Sequence, residues 1–348
     1  MYRILVDGRV LGDSRKKNYE VASGKLKLKL NNSGGFEFAL LSGNPALDYI
    51  IPKRSIITLQ RNYQEIWRGR AVDLSEDIYG RPTITCDGLL SYLQDSRIGP
   101  FEFSGVLRDL FSKIVSEHNA FVDAFKQFQI GTISVSDAWS TVTLKNTRYV
   151  SAWSLIQTLI KEHGGQICVE TDGNLLYLHW LNDYTRRNTQ PIQLGRNLIS
   201  ITKKIVGSDI YTGVFPTGAD GLDITSVNNG SKFVLNQSAA AIYGRIFCDK
   251  EFKDITDANA LLASAEQYVD TLCNPITQID ARAIDMNLSD ETIEAIQLGD
   301  YLHAVCEPRK VDDWLQAKEI TLDIVNPPKS TFTLGLTKTM ISKLLAAG

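Results

Sequence analysis

The chain has 348 residues, of which 43% are hydrophobic and 22% charged, and its formal net charge is −3 at pH 7. This length accommodates two or three domains, and the composition is that of a protein able to bury a sizeable core. The near-neutral charge excludes proteins that bind nucleic acid or anionic membranes through a strong positive net charge, so no specific nucleic-acid binding is expected.

The first thirty residues carry an excess of basic side chains. Three of them, Lys25, Lys27 and Lys29, alternate with Leu26 and Leu28. Because successive side chains of a β-strand point to opposite faces, this alternation predicts a strand with a solvated lysine face and a buried leucine face. The alternative interpretation is an edge that binds an anion or a partner.

The cysteines and the N-terminus indicate synthesis in a reducing cytoplasm. Neither a C-x-x-C pair nor a cysteine–histidine pair at metal-binding spacing is present, so no zinc site or disulfide framework is predicted. The five cysteines are Cys86, Cys168, Cys248, Cys273 and Cys306. Residues 1–8 predict a short strand and an Asp-Gly turn in place of a signal peptide. No apolar stretch is long enough to span a membrane, and no membrane partner is expected.

Residues 1–97 are predicted to form a first β-barrel-like domain. Short strands alternate there with turn-forming residues, a pattern typical of small barrels and sandwiches. The predicted strands are 25–30, 36–40, 55–61, 66–74 and 83–86. We expect a hairpin around the turn 62–65 and a short helix from Leu89.

Residues 98–197 are predicted to form an α/β domain. Ser104 is the expected N-cap of a first helix, in which apolar residues recur at helical spacing. Three phenylalanines extend this apolar stripe and are expected in the core: Phe121, Phe125 and Phe128. A second helix is predicted over 150–163, and a hairpin is predicted to turn at Asp172 and Gly173.

Residues 198–348 are predicted to form a second β-barrel-like domain. A helix near 256–273 is inserted in it, with Thr256 as the expected N-cap. The predicted strands are 199–206, 210–217, 241–248, 276–286, 298–307, 315–325 and 330–336. A last helix is expected over 337–345. The complete chain is therefore predicted to be α+β and β-rich, with two related β-barrel-like domains and inserted α/β domains.

The end of the chain repeats the plan of its beginning. In both regions a hairpin, a tryptophan, a long strand, a turn, a Thr-x-Thr strand, a glycine and a helix follow in the same order. The offset is 314 − 67 = 247 for Trp67 and Trp314, and 335 − 88 = 247 for Gly88 and Gly335. This repeat favours two related β-domains. Three such chains would present six similar domains to a sixfold partner.

Catalytic motifs are absent from the sequence. The four histidines show no metal-ligand spacing, and no nucleophile elbow, phosphate-binding loop or dinucleotide fingerprint is present. They are His118, His163, His179 and His303. His118 and His163 fall in the last turns of predicted helices, where a cation suits the helix dipole. No catalytic, cofactor-binding or metal-binding residue is predicted, and no cofactor is expected.

Several segments together resemble a known family of phage proteins. Residues 66–70, Ile-Trp-Arg-Gly-Arg, followed by 85–96, Thr-Cys-Asp-Gly-Leu-Leu-Ser-Tyr-Leu-Gln-Asp-Ser, are similar to the N-terminal domain of phage tail-associated lysins. That domain is also described as the prophage tail endopeptidase N-terminal region or as a phage minor structural protein. Further matching segments are 117–119, 163–165, 213–216, 298–300 and 333–336. The resemblance covers nearly the whole chain in the expected order.

The resemblance implies a hub fold and a structural role. Proteins similar to the baseplate central hub of contractile-tailed phages form homotrimers at the virion tail tip. They sit beneath a hexameric ring of distal tail protein at the end of the tail tube. They carry a tail fibre, spike or lysin component. The chain ends at Gly348, so an enzymatic extension is expected to be missing, to belong to another protein or to have been removed.

Two other functions remain open at this stage. The chain could be a peptidoglycan hydrolase, which needs a cleft with paired carboxylates or a histidine-assisted nucleophile. It could also be a carbohydrate-binding tail adhesin, which needs exposed aromatic side chains clustered in a groove. The interface residues are not identified. The turns at 61–66 and 308–314 are candidate contacts between subunits, although Trp67 and Trp314 equally suit a barrel core.

Overall fold

The computed structural model describes residues 2–253, 255–273 and 276–339. Its helices are α1 (Leu107–Phe121), α2 (Ala152–His163), α3 (Gln237–Tyr243) and α4 (Ala258–Leu272). Its strands are β1 (Tyr2–Val6), β2 (Arg9–Asp13), β3 (Val21–Lys29), β4 (Gly35–Leu40), β5 (Ile56–Arg61), β6 (Gln64–Glu76), β7 (Pro82–Gly88), β8 (Phe101–Val106), β9 (Phe128–Ile133), β10 (Thr141–Asn146), β11 (Gln166–Asp172), β12 (Leu175–Leu181), β13 (Ile192–Gln193), β14 (Leu198–Val206), β15 (Gly213–Thr217), β16 (Val234–Leu235), β17 (Phe247–Glu251), β18 (Ile276–Ala283), β19 (Tyr301–Cys306), β20 (Val311–Asp323) and β21 (Thr331–Thr339). The predicted α+β, β-rich class is confirmed.

The chain divides into two compact units. The first contains residues 1–200 and 282–334, and the second contains residues 201–281 and the segment from Gly335 onward. Among the described residues, no helix has the length and apolar character needed to cross a membrane.

One hydrophobic core of the first unit lies against the strands of residues 1–97. Phe36 and Phe38 alternate with exposed or half-exposed residues along β4, which places both rings on the core side. The ring of Phe36 lies 4.9 Å from that of Phe38 and 5.6 Å from that of Trp67. Gly69 leaves room for this packing, because a Cβ at that position would lie 2.4 Å from the Trp67 ring.

The lysines of β3 lie on the solvated side of its strand, as predicted. Lys25, Lys27 and Lys29 are exposed, whereas Leu26 is buried and Leu28 is half-buried. The alternation of lysine and leucine therefore correctly predicted which face of β3 is exposed to solvent.

A second core of the first unit joins α1 and α2 to the strands β9, β11 and β12. The rings of Phe111 and Trp180 lie 5.2 Å apart at its centre, and both side chains are buried. Helix α2 begins where Ser151 accepts a hydrogen bond from the amide of Ser154. The predicted hairpin between β11 and β12 is confirmed, with Asp172 opposite Leu175.

The predicted start of the first helix is wrong. Ser104 does not cap it but lies in β8, opposite Thr143 of β10, and the helix begins at Leu107 without a side-chain cap. Residue 104 is extended because it pairs with a strand that follows more than thirty residues later. The residues near Ser104 in the sequence give no indication of this pairing. Of the three phenylalanines expected in the core, Phe128 is buried, whereas Phe121 and Phe125 are exposed.

Three predictions for the C-terminal region also need correction. Asp257, and not Thr256, caps α4 by accepting a hydrogen bond from the amide of Ala260 at 2.8 Å. The strand predicted over 241–248 is replaced by α3 and the short β17, since Asn236 caps a run of alanines that favours a helix. Residues 337–339 belong to β21, and the remainder of the predicted last helix lies outside the described residues.

The strand order contains the same five-strand arrangement twice. One part of the large sheet runs in the order β3-β4-β7-β6-β5, and another runs β14-β18-β21-β20, with β19 also paired to β20. When the five strands of each set are numbered along the chain, both sets have the spatial order first, second, fifth, fourth, third. The long fourth strands, β6 and β20, each contain 13 residues. The two sets of strands therefore share one topology, although their sequences have little in common.

Candidate assembly surfaces

The turn between β5 and β6, a candidate contact between subunits, is bound within its own chain. Asn62 and Tyr63 form the turn with φ values of 51° and 66°, as a two-residue hairpin requires. A guanidinium nitrogen of Arg61 donates to the side-chain oxygen of Asn287 at 2.5 Å, and Asn62 donates to Glu291 at 2.8 Å. These contacts attach the turn to residues 287–291 of the same chain, while residues 62–66 remain exposed.

Tyr63 is an exposed aromatic residue of this turn. Its side chain is 64% exposed. The guanidinium groups of Arg3 and Arg15 lie 5.0 Å and 5.4 Å from the ring centre, and Arg15 also donates to the Tyr63 hydroxyl at 3.0 Å. Asp13 accepts two hydrogen bonds from the Arg15 guanidinium, of 2.8 Å and 2.9 Å, and a third from the Arg15 amide at 3.1 Å. The two arginines therefore hold the ring in one orientation.

A cleft of about 740 Å³ lies beside this turn. Its apolar floor comes from neighbouring strands of both five-strand sets, and it is formed by Leu26, Leu28, Ile320 and Leu322. Asp285 lines the cleft but accepts hydrogen bonds from Gln190, from the amide of Asn287 and from the amide of Ile296. This carboxylate therefore holds a loop in place instead of facing a substrate.

The turn between β19 and β20, the second candidate contact, presents a tryptophan. Lys310 occupies the left-handed region with φ of 51°, and the chain then enters β20. The ring of Trp314 lies 5.3 Å from that of His303, and the guanidinium of Arg187 lies 4.8 Å from the Trp314 ring centre. Trp67 is buried whereas Trp314 is half-buried. The expectation that these tryptophans belong to a barrel core therefore fits Trp67 better than Trp314.

A third turn lies between β6 and β7, in the segment between the predicted strands 66–74 and 83–86. Ile78 is 90% exposed and Tyr79 is 72% exposed at its tip. Asp77 accepts hydrogen bonds from the amides of Tyr79 and Arg81 at 2.9 Å and 3.0 Å, which orders the turn. An isoleucine followed by a tyrosine inside a polar turn was the sequence signal that could have identified this exposed apolar tip.

The turn between β20 and β21 is also ordered by an aspartate. Asp323 accepts hydrogen bonds from the amides of Val325 and Asn326 at 3.1 Å and 2.8 Å, and Val325 is 49% exposed. Asp77 directly follows β6 and Asp323 is the last residue of β20, so an aspartate stands at the end of both long strands. Each chain therefore presents two ordered turns with an exposed apolar residue.

His118 lies in the last turn of α1, as predicted, but its environment excludes the predicted cationic role. Its side chain is buried, with Nε2 3.2 Å from the carbonyl oxygen of Lys126 and Nδ1 2.8 Å from Ser96 Oγ. Since a carbonyl only accepts, Nε2 carries the proton and Nδ1 accepts from the serine hydroxyl. Burial lowers the pKa of His118. The imidazole is therefore neutral and structural.

The serine next to this histidine is not placed for nucleophilic catalysis. Ser96 is 1% exposed and His118 is 0% exposed, so a substrate cannot reach the pair. The other histidines make different contacts. His163 Nδ1 lies 2.5 Å from Asp137, and His303 Nε2 lies 2.6 Å from Asp312. In the described ranges, no group of three or more histidine, cysteine or acidic residues is arranged to hold a metal ion.

The comparisons with known proteins agree with the sequence resemblance. Residues 185–345 match the model of the family described as prophage endopeptidase tail. No curated protein matches the sequence. The structure is similar to a 43 kDa tail protein of prophage MuSo2 from Shewanella oneidensis, with a TM-score of 0.61, 10% identity and coverage of 96% of each chain.

Two further solved structures show the same fold. A tail protein from Neisseria meningitidis has a TM-score of 0.61 at 12% identity, with 97% of this chain and 96% of that chain covered. A prophage tail protein from Listeria monocytogenes has a TM-score of 0.55 at 17% identity, with 99% and 97% covered. Residues 185–345 are therefore similar to a family of prophage tail proteins, and the chain shares its fold with these three tail proteins.

Proposed function

We propose that this phage tail protein is a subunit of a trimeric hub at the tail tip. The hub joins the tail tube and the hexameric ring of distal tail protein to a tail fibre, spike or lysin component. Residues 1–97 and 198–348 supply the two related β-barrel-like domains of each subunit, and residues 98–197 supply the α/β domain between them. The protein acts in the virion and is made in the bacterial host cytoplasm.

The repeated five-strand arrangement is the observation that carries this proposal. A chain with two copies of one topology gives six copies when three chains close into a ring. Each copy ends its fourth strand in an ordered turn, at Asp77 or at Asp323, that presents an exposed apolar residue. A trimer would thus offer six similar turns to a sixfold partner, which favours a hub over a monomeric enzyme.

The role of the hub is assembly and not catalysis. The contacts of His118 and Asp285 support this view, because both side chains are used in holding the fold together. We therefore expect no loss of turbidity when the purified protein is incubated with host cell walls. A loss of turbidity that requires one of the four histidines would favour the hydrolase instead.

Sedimentation equilibrium tests the oligomeric state directly. The expected species has three times the mass of the 38.7 kDa chain at micromolar concentration. Adding a purified distal tail ring should give a complex of one trimer and one hexamer. A mass of one chain at every concentration up to the solubility limit would contradict the proposal.

A further inference from the structure

The second unit contains a three-stranded sheet whose two faces differ. Strand β15 lies in its centre, antiparallel to β16 and parallel to β17. Helix α4 packs on one face, where Val214 is fully buried in a cluster with Ala265 and Val269. Because successive side chains of a strand point to opposite faces, Phe215 lies on the other face. Its side chain is 42% exposed there.

Three phenylalanine rings lie together on this other face, and we call them the aromatic face. The ring of Phe215 is 5.6 Å from that of Phe233 and 5.3 Å from that of Phe247, and the rings of Phe233 and Phe247 are 5.0 Å apart. Gly213 leaves room for them, because a Cβ at that position would lie 2.4 Å from the Phe247 ring. Phe215 is exposed and the other two are half-buried, so the described residues leave the rings incompletely covered.

The architecture of this sheet favours a cover on both faces. Strand β15 pairs parallel with β17 from Gly213 to Thr217. Parallel strands are found mainly in sheets that other elements bury on both sides. Adjacent aromatic rings also gain hydrophobic stabilisation when they are removed from water. We therefore expect a further apolar element to pack on the aromatic face.

Two carboxylates border the aromatic face along β17. Asp249 is paired with Phe215 and Glu251 with Thr217, which places both acidic side chains on the side of the aromatic face. Both are exposed. Glu251 lies 3.8 Å from Lys253, and an exposed ion pair of this kind contributes little. The surface therefore suits an apolar element that also carries positive charge.

The chain contains a segment with this chemistry at its C-terminal end. Residues 340–348 lie outside the described residues and have the sequence Met-Ile-Ser-Lys-Leu-Leu-Ala-Ala-Gly. In a helix, the apolar residues at 340, 341, 344 and 345 share one side, and Ala346 falls opposite them. Lys343 supplies a positive charge, and no acidic side chain follows Asp323. We call residues 340–348 the C-terminal segment.

A helix of this length needs an apolar surface to pack on. Isolated helices shorter than about 12–15 residues are marginal in water, and in proteins most of their stability comes from packing of an apolar side. Methionine, leucine, alanine and lysine all favour a helix, and Thr339, the last residue of β21, is suited to cap it. The aromatic face is such a surface.

The C-terminal segment begins in the same unit as the aromatic face. Residues 335–339 of β21 belong to the second unit together with residues 201–281. The nine residues that follow span up to about 30 Å when extended. A compact unit of this size has a radius of gyration of about 12 Å. The segment is therefore long enough to reach the aromatic face from Thr339.

We propose that the C-terminal segment forms a short helix that docks on the aromatic face, with its apolar side against Phe215 and Lys343 toward the carboxylates of β17. The sheet of the second unit then lies between two helices, α4 on one face and the C-terminal helix on the other. This contact does not depend on the trimeric hub. It also covers three of the aromatic rings that a carbohydrate-binding surface would need to expose.

Hydrogen exchange of the complete chain measures this docking. The amides of residues 344–348 should exchange at least about tenfold more slowly than those of a synthetic peptide of residues 337–348. Leu344→Asp places a charge on the apolar side and should bring their exchange to the rate of the peptide. The matched control Ala346→Asp places the same charge on the opposite side and should retain the protection. Unchanged exchange of the α4 amides shows that the second unit stays folded in both variants.

A substitution in the aromatic face tests the other side of the contact. Phe215→Ala should also bring the exchange of residues 344–348 to the rate of the peptide, since it removes the central ring. Ile205→Ala is the control, because it shortens a side chain of the same unit that is 61% exposed on β14 and outside the aromatic face. It should leave the exchange unchanged.

Three results would overturn the proposal. If residues 344–348 of the wild type exchange as fast as the free peptide, the segment does not dock. If they remain protected in Phe215→Ala while α4 is folded, the segment docks on a different surface. If their protection falls as the protein is diluted, the segment docks on a second copy of the chain.

Discussion

At the scale of single residues, the buried His118 couples the fold to pH. Its pKa is lowered chiefly by burial, and the nearby Lys126 adds to this, whereas the backbone hydrogen bond and Asp95 act in the opposite direction. The folded protein therefore binds this proton less readily than the unfolded chain, whose histidine titrates at 6.5. The contribution of His118 to stability is complete above that pH and is lost as the pH falls below it.

We expect the free energy of unfolding to fall between pH 6.5 and pH 5, by at most about 1.4 kcal/mol per pH unit from this residue. His118→Gln removes the titration, so its stability should change less over the same range even if it is lower throughout. Urea unfolding at several pH values measures this. His303→Gln, at a more exposed site, should retain the wild-type pH dependence. A loss of the dependence in that control would contradict the assignment.

The two tryptophans of the repeat should differ in their effect on stability. Trp67→Ala leaves a cavity beside Phe36 and should cost about 3–5 kcal/mol of unfolding free energy. Trp314→Ala removes a half-buried ring that stacks with Arg187 and should cost clearly less. Denaturant unfolding of both variants measures the difference. Equal losses would show that Trp314 belongs to a core as Trp67 does.

At the scale of single elements, the capping of α4 shows the limit of local sequence. Both Thr256 and Asp257 can cap a helix, and the structure uses Asp257. Asp257→Ala should make the amides of the first turn exchange with solvent about fivefold faster, equivalent to a cap worth about 1 kcal/mol. Thr256→Ala is the matched control and should leave this exchange unchanged. Hydrogen exchange measured by mass spectrometry distinguishes the two.

Elements with strong alternation or clear turn chemistry could be predicted from the sequence. The strand around Phe36 and Phe38 and the hairpin at Asp172 are such cases, because their signal lies within a few residues. Ser104 was assigned to a helix because its strand partner, Thr143, is distant in the chain. No local pattern reports such a pairing.

The same reason explains what could be predicted of the candidate surfaces. The turn at 61–66 was correctly placed between two strands, yet its polar groups are bound by Asn287 and Glu291, more than two hundred residues away. The segment around Ile78 fell between two predicted strands, but its exposed apolar tip was not recognised from the sequence. The position of a turn between two strands can be predicted from the residues around it. Whether the side chains of that turn are available to a partner depends on segments that are distant in the sequence.

At the scale of the whole molecule, the repeat is the feature that the sequence and the structure support independently. The sequence contributes the spacing between Trp67 and Trp314, and the structure contributes the identical order of five strands. Identity between the copies is low because burial and alternation constrain the character of a side chain more than its type. The order of the strands therefore shows the repeat more clearly than the amino-acid sequence does.

Imaging of the purified protein along its symmetry axis tests the central claim most directly. Particles averaged without imposed symmetry should show a closed ring of six similar β-rich lobes, alternating in two kinds, with the mass of three chains. A closed ring is expected because three chains with two copies of one strand topology each supply six similar domains. Single chains, or a ring with a different number of lobes, would contradict the account.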